Sequence, residues 1–89
     1  MIKKDLTIIN KLGLHARAAT KLAATCNRFG CSIQTRMGEK VVDAKSVMAL
    51  MLLAAAQGTR LQFIFDGRDE HEACAAISGL VEDYFGEGE

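Results

Sequence analysis

Eighty-nine residues, 49% of them hydrophobic, suffice for one domain (1–89) with a small core and leave no room for a second. Three cysteines without C-x-x-C spacing argue against a disulfide framework or a zinc site and fit a reducing, cytoplasmic setting. The net charge is zero, yet residues 1–65 carry ten Lys/Arg against three Asp/Glu, and residues 66–89 one against eight. Few aromatic side chains accompany the basic part and no nucleic-acid motif appears, so an acidic protein partner fits it better than nucleic acid.

Met1 to Asp5 runs straight into alternating residues, which predicts a strand over 2–9 and no signal peptide. Asn10-Lys11-Leu12-Gly13 reads as a turn. Ala16, Ala19, Leu22, Ala23, Cys26 and Phe29 recur at helical spacing, which predicts an amphipathic helix over 16–28 ended by Gly30. Cys31, Ile33, Thr35 and Met37 alternate as a second strand. Met37-Gly38-Glu39-Lys40 turns the chain into a third strand at 40–42. Ser46 has the character of an N-cap for a second helix over 47–56, with Gly58 at its C-cap. Leu61, Phe63 and Phe65 mark a fourth strand and Asp66-Gly67 a turn. A third helix over 69–85 buries Ala73, Ala76, Ile77, Leu80 and Tyr84, and the tail 86–89 is expected to fray. The apolar run Val47–Ala56 is too short to span a membrane. The order β-α-β-β-α-β-α predicts an α/β (α+β) two-layer open-faced sandwich, with a four-stranded antiparallel sheet and three helices on one face.

The chemistry gathers at Gly13-Leu14-His15-Ala16-Arg17. An imidazole between a glycine turn and a helix start lies against free backbone N–H groups and the positive helix end. That end favours the uncharged, nucleophilic ring. A phosphoryl group carried on His15 would meet the N–H groups of Ala16, Arg17 and Ala18 and the Arg17 guanidinium. Each such exposed donor contributes about 0.5–2 kcal/mol, which lets cargo be held and released. No Cys or Ser nucleophile adjoins His15, and no acid stands near it in sequence, so a hydrolase triad fits poorly. An ordinary helix-capping histidine is the plain alternative. His71, in the acidic start of the third helix, reads as a solvated surface residue without a second metal ligand.

Asn10-Lys11-Leu12-Gly13-Leu14-His15-Ala16-Arg17-Ala18-Ala19 resembles the active-site signature of the HPr family, the histidine-containing phosphocarriers of the phosphoenolpyruvate-dependent phosphotransferase system. Asp43-Ala44-Lys45-Ser46-Val47-Met48-Ala49-Leu50-Met51 resembles the family's regulatory-serine region, and the likeness runs the length of the chain. The resemblance implies a stoichiometric carrier rather than an enzyme. By the same resemblance, enzyme I is expected to phosphorylate His15, at Nδ1 in the family, and His15 to pass the group to a IIA component, in sugar uptake or nitrogen-type regulation. It also implies phosphorylation of Ser46 by an HPr kinase/phosphorylase where one exists. No cofactor or metal is expected, and the protein is expected to be monomeric. One departure stands out: the commoner pattern has proline after the arginine, where this chain has Ala18, which keeps its N–H.

Apart from the resemblance, Ser46 is explained by helix capping alone. The second helix is apolar nearly all round. Leu50 and Leu53 are expected in the core, and Val47, Met48 and Met51 partly exposed. The resemblance makes this helix and the first one a docking surface, with Thr20, Lys21, Lys45, Val47, Met48 and Met51 as its contacts. A more deeply buried helix is the plain alternative. Two rival functions remain open: a regulatory HPr-like protein acting through Ser46 alone, and a ferredoxin-like ligand-binding module.

Overall fold

Strands and helices follow in the order β1 (Ile2–Thr7), α1 (Ala16–Cys26), β2 (Ser32–Met37), β3 (Lys40–Asp43), α2 (Val47–Leu52), β4 (Arg60–Asp66) and α3 (Glu70–Glu82), then a 3-10 turn at Tyr84–Gly86. The computed structural model describes residues 1–89. Every strand pair is antiparallel and the sheet order is β1-β4-β2-β3. Phe65 of β4 lies opposite Ile2 of β1 on one side and Ile33 of β2 on the other. This is the open-faced sandwich expected from the element order.

Strand alternation sets which face is covered. Leu6, Ile33, Leu61, Phe63 and Phe65 are buried, and their neighbours in sequence are exposed or half-buried. Helices supply the second layer with Ala18, Ala19, Leu22, Ala23 and Cys26 of α1, Leu50 of α2, and Ala73, Ile77 and Val81 of α3. The α1 face is largely alanine. Its phase differs slightly from expectation, since Ala16 is exposed and Ala18 is buried. Phe29, beyond the helix, is half-buried.

Element ends differ from the sequence reading for identifiable reasons. β1 stops at Thr7, although Ile8 is still bonded to the approach to β4, donating to Thr59 O at 2.8 Å and accepting from Gly58 N at 2.7 Å. α1 stops at Cys26, ahead of Gly30. The Asn27 amide reaches back to Ala23 O at 2.8 Å and across to Lys45 O at 2.9 Å, competing with further helix. Gly30 and Cys31 donate their N–H groups to the Asp69 carboxylate, each at 2.9 Å.

The largest correction concerns α2. It has six residues rather than ten, and Gly58 is not its C-cap. Leu53 and Ala55 are both buried, and the left-handed Ala54 between them (φ 50°) takes the chain out of the helix. Gly58 (φ 92°) instead serves the turn into β4.

α3 likewise ends early, at Glu82. Consecutive left-handed residues Tyr84 (φ 57°), Phe85 (φ 53°) and Gly86 (φ 78°) reverse the chain. Phe85 is therefore buried where Tyr84 was expected, and Tyr84 lies at the surface. Ala76 and Leu80 are not fully buried either. The tail, expected to fray, folds back on the body: Lys11 N donates to Glu89 O at 3.0 Å, and both carboxylate oxygens of Glu87 are bonded, as described below.

Candidate functional site

The turn before α1 is built by close approach. Gly13 has φ 69°, and a Cβ on it would lie 2.6 Å from the Ala55 carbonyl oxygen. Leu14 N–H donates to that same oxygen at 2.8 Å, and the Leu14 side chain is buried. Asn10, fully buried, closes the other side by donating Nδ2–H to Gly13 O at 2.7 Å. With the two preceding residues fixed, His15 emerges as the N-cap of α1 in an extended conformation (φ −76°, ψ 179°).

Ala19 N–H donates to His15 O at 2.8 Å, the first bond of the helix ladder. The N–H groups of Ala16, Arg17 and Ala18 precede it and stand at the positive helix end. The His15 side chain keeps 28% of its surface exposed. Leu12, Arg17, Lys21, Glu87 and Glu89 join it in lining an open cleft. Arg17 is exposed on the same cleft. Lys21 donates to Phe85 O at 2.7 Å, which ties α1 to the reversed tail.

Glu87 is the residue that the sequence reading missed. Seventy-two positions from His15, it accepts a hydrogen bond from His15 Nε2 through Oε2. Its other oxygen accepts from Asn10 Nδ2 at 2.9 Å. Partial desolvation pushes the Glu87 carboxyl up. The bonds from Asn10 and His15 and the nearby Lys21 charge more than offset this and hold it below its ordinary value. The available signal was the charge split: an acidic end following a basic body has a reason to fold back on it.

Ser46 is the N-cap of α2, and its Oγ accepts from Ala49 N at 3.2 Å. Beyond it Met48 and Met51 are exposed, with Leu52 and Leu12 also at the surface, while Val47 is half-buried and Leu50 and Leu53 are buried. α2 packs against α1. Thr20 Oγ donates to Ala16 O at 2.7 Å, and Lys45 Nζ donates to Phe29 O at 2.8 Å. His71 is exposed, and no group of three or more His, Cys, Asp or Glu is arranged to hold a metal.

Residues 2–83 match the family model described as "PTS HPr component phosphorylation site". The chain is 47% identical to Phosphocarrier protein HPr of Neisseria meningitidis serogroup A over 89 residues, covering 100% of both chains. It is 42% identical to Phosphocarrier protein NPr of Shewanella violacea over 86 residues, covering 97% of this chain and 94% of that one. Among solved structures, HPr-C-His from Thermoanaerobacter tengcongensis superposes with a TM-score of 0.94 at 39% identity, covering 98% of each chain. Likeness of sequence along the full length and likeness of fold thus agree, and the chain belongs to the HPr family of phosphocarriers of the phosphotransferase system.

Proposed function

We propose that His15 is the phosphoryl acceptor and donor of this carrier, loaded by enzyme I and unloaded to a IIA component. The observation that carries the reading is the placement of a part-exposed imidazole at the mouth of α1, with three N–H groups ahead of the helix ladder and Arg17 and Lys21 on the same cleft. Incoming phosphoryl oxygens meet those N–H groups and the Arg17 guanidinium, which supply charge-assisted bonds without enclosing the group. An open cleft suits a carrier, because the cargo must be presented to a second protein. Thr20, Lys21, Lys45, Val47, Met48 and Met51 form the docking surface. Its apolar centre and basic edge suit acidic partners, and methionine adapts to more than one of them.

Incubation with enzyme I and phosphoenolpyruvate tests this. Wild-type protein is expected to gain one acid-labile phosphate, and His15→Ala none. Equal labelling of the two would overturn the assignment. A panel of IIA acceptors then sorts sugar transport from nitrogen-type signalling.

Ser46 is a modification site by the same reading. A phosphate on its Oγ adds negative charge beside the docking helices, where an acidic partner would be repelled. Ser46→Asp is expected to slow loading of His15 about tenfold or less, as befits a charge at a solvated surface. An unchanged rate would remove the electrostatic account.

A further inference from the structure

The cleft holds two acids that the phosphocarrier reading leaves unused, Glu87 and Glu89, and of these Glu87 bonds the histidine. Glu87 is fixed at both carboxylate oxygens, one by Asn10 and the other by His15. Asn10 is itself fully buried and anchored to the Gly13 carbonyl, so the carboxylate is held by the turn that precedes the histidine. Lys21, which fastens the Tyr84–Gly86 turn through Phe85 O, keeps the tail over α1.

The protons in this chain of contacts follow from chemistry. An ionised carboxylate can only accept, so His15 Nε2 must donate. In a neutral ring the hydrogen therefore sits on Nε2, and Nδ1 carries the free lone pair. No side-chain capping bond engages the ring at the helix start.

We propose that Glu87 is a positioning residue for phosphoryl transfer, holding the His15 Nε2–H so that Nδ1 presents its lone pair and balancing the charge that the ring gains on phosphorylation. The inference rests on the reading of His15 as the carrier group. In the loading step the Nδ1 lone pair forms the N–P bond, while the bond from phosphorus to the donor's leaving atom breaks and its electrons stay with the donor. No proton leaves the ring. Nε2 keeps its hydrogen, the ring becomes an imidazolium, and the carboxylate beside it stabilises that charge. Unloading reverses each change. The role parallels that of an orienting carboxylate behind a histidine, which fixes tautomer and ring direction without taking the proton.

The test compares wild type with Glu87→Gln and Glu87→Ala. Gln keeps an acceptor oxygen without the charge, and Ala removes both. Nitrogen-15 NMR of unphosphorylated protein reads the ring tautomer. It is expected to show the Nε2–H form in wild type and a shift toward the Nδ1–H form in Glu87→Ala. The kcat for loading by enzyme I is expected to fall about three- to tenfold in both variants, with KM for the donor unchanged. Melting curves that match wild type separate this from a folding defect. Unchanged tautomer and kcat would overturn the proposal, as would a rise in KM alone, which would make Glu87 a docking contact. Wild-type protein that takes no phosphate would sink the carrier reading and this one together. Wild type and both variants loading alike would sink only this one.

Discussion

Gly13 controls the approach to the site more than any side chain within it. Its φ is positive, and a Cβ there would stand 2.6 Å from the Ala55 carbonyl oxygen, which excludes any larger residue without a backbone shift. Gly13→Ala is expected to lose more than about 1 kcal/mol of stability, because both the dihedral and the contact are violated. Denaturant unfolding measures the loss, and a wild-type midpoint would show that the turn can relax. Burial, partly opposed by Lys45, pushes the Cys26 thiol up to about 12. Cys26 is therefore expected to resist alkylation at neutral pH in the folded protein, while half-buried Cys74 reacts first. Peptide mapping after brief treatment checks this order. The position of His15 at a helix start was legible because its causes are local: a glycine turn before it and helical spacing after it. Glu87 was not, because nothing within a few residues of it records the contact with Asn10 and His15. Only the folded chain brings the two ends of that bond together.

The same division between local and distant causes holds for the elements. The strands were readable, since alternation of Leu61, Phe63 and Phe65 is a period-two signal that only a half-covered sheet needs. The length of α2 was not. Val47 to Ala56 is apolar without a break, and periodicity cannot say where such a run leaves the helix. The exit at Ala54 is imposed by the Gly13 turn, which takes the Ala55 carbonyl for Leu14 N–H. Within α2, Leu50 is fully buried and Leu52 is 75% exposed. Leu50→Ala is expected to cost about 2–5 kcal/mol, and Leu52→Ala less than about 0.5 kcal/mol. Equal losses on unfolding would mean that the helix is rotated from the orientation described. Met48 is 78% exposed, so Met48→Glu is expected to leave the melting temperature unchanged and to weaken enzyme I binding in a titration. Tyr84 and Phe85 exchange places relative to a continuous α3 for a related reason: the chain reverses after Glu82, which no helical period could have announced.

Three carboxylates fasten distant parts of the chain, and all three are more acidic than usual. Gly30 N–H, with the Cys31 contacts, lowers Asp69 despite some desolvation. Gly67 N–H, followed by the amino terminus, lowers Glu70, and the amine lies 3.0 Å from it. Glu87 is lowered as described above. A carboxyl more acidic in the fold than in the unfolded chain contributes fully above its unfolded pKa, and that contribution is lost as pH falls through the folded value. The melting temperature is therefore expected to be level above about pH 5 and to fall below it. Asp69→Asn should make that acid-side fall shallower, and an unchanged slope would show that Asp69 does not participate. No helix is long and apolar enough to cross a membrane.

Sheet order has a consequence for how the polypeptide is made. β1 is an edge strand whose sole sheet neighbour is β4, so Ile2 must wait for Phe65. During synthesis β1 leaves the ribosome long before its mate exists, and hydrogen bonding along it cannot begin until Arg60–Asp66 has been made. Lys3, Lys4 and Asp5 keep that early, solitary segment hydrated, a safeguard against pairing with the same strand of a neighbouring nascent chain.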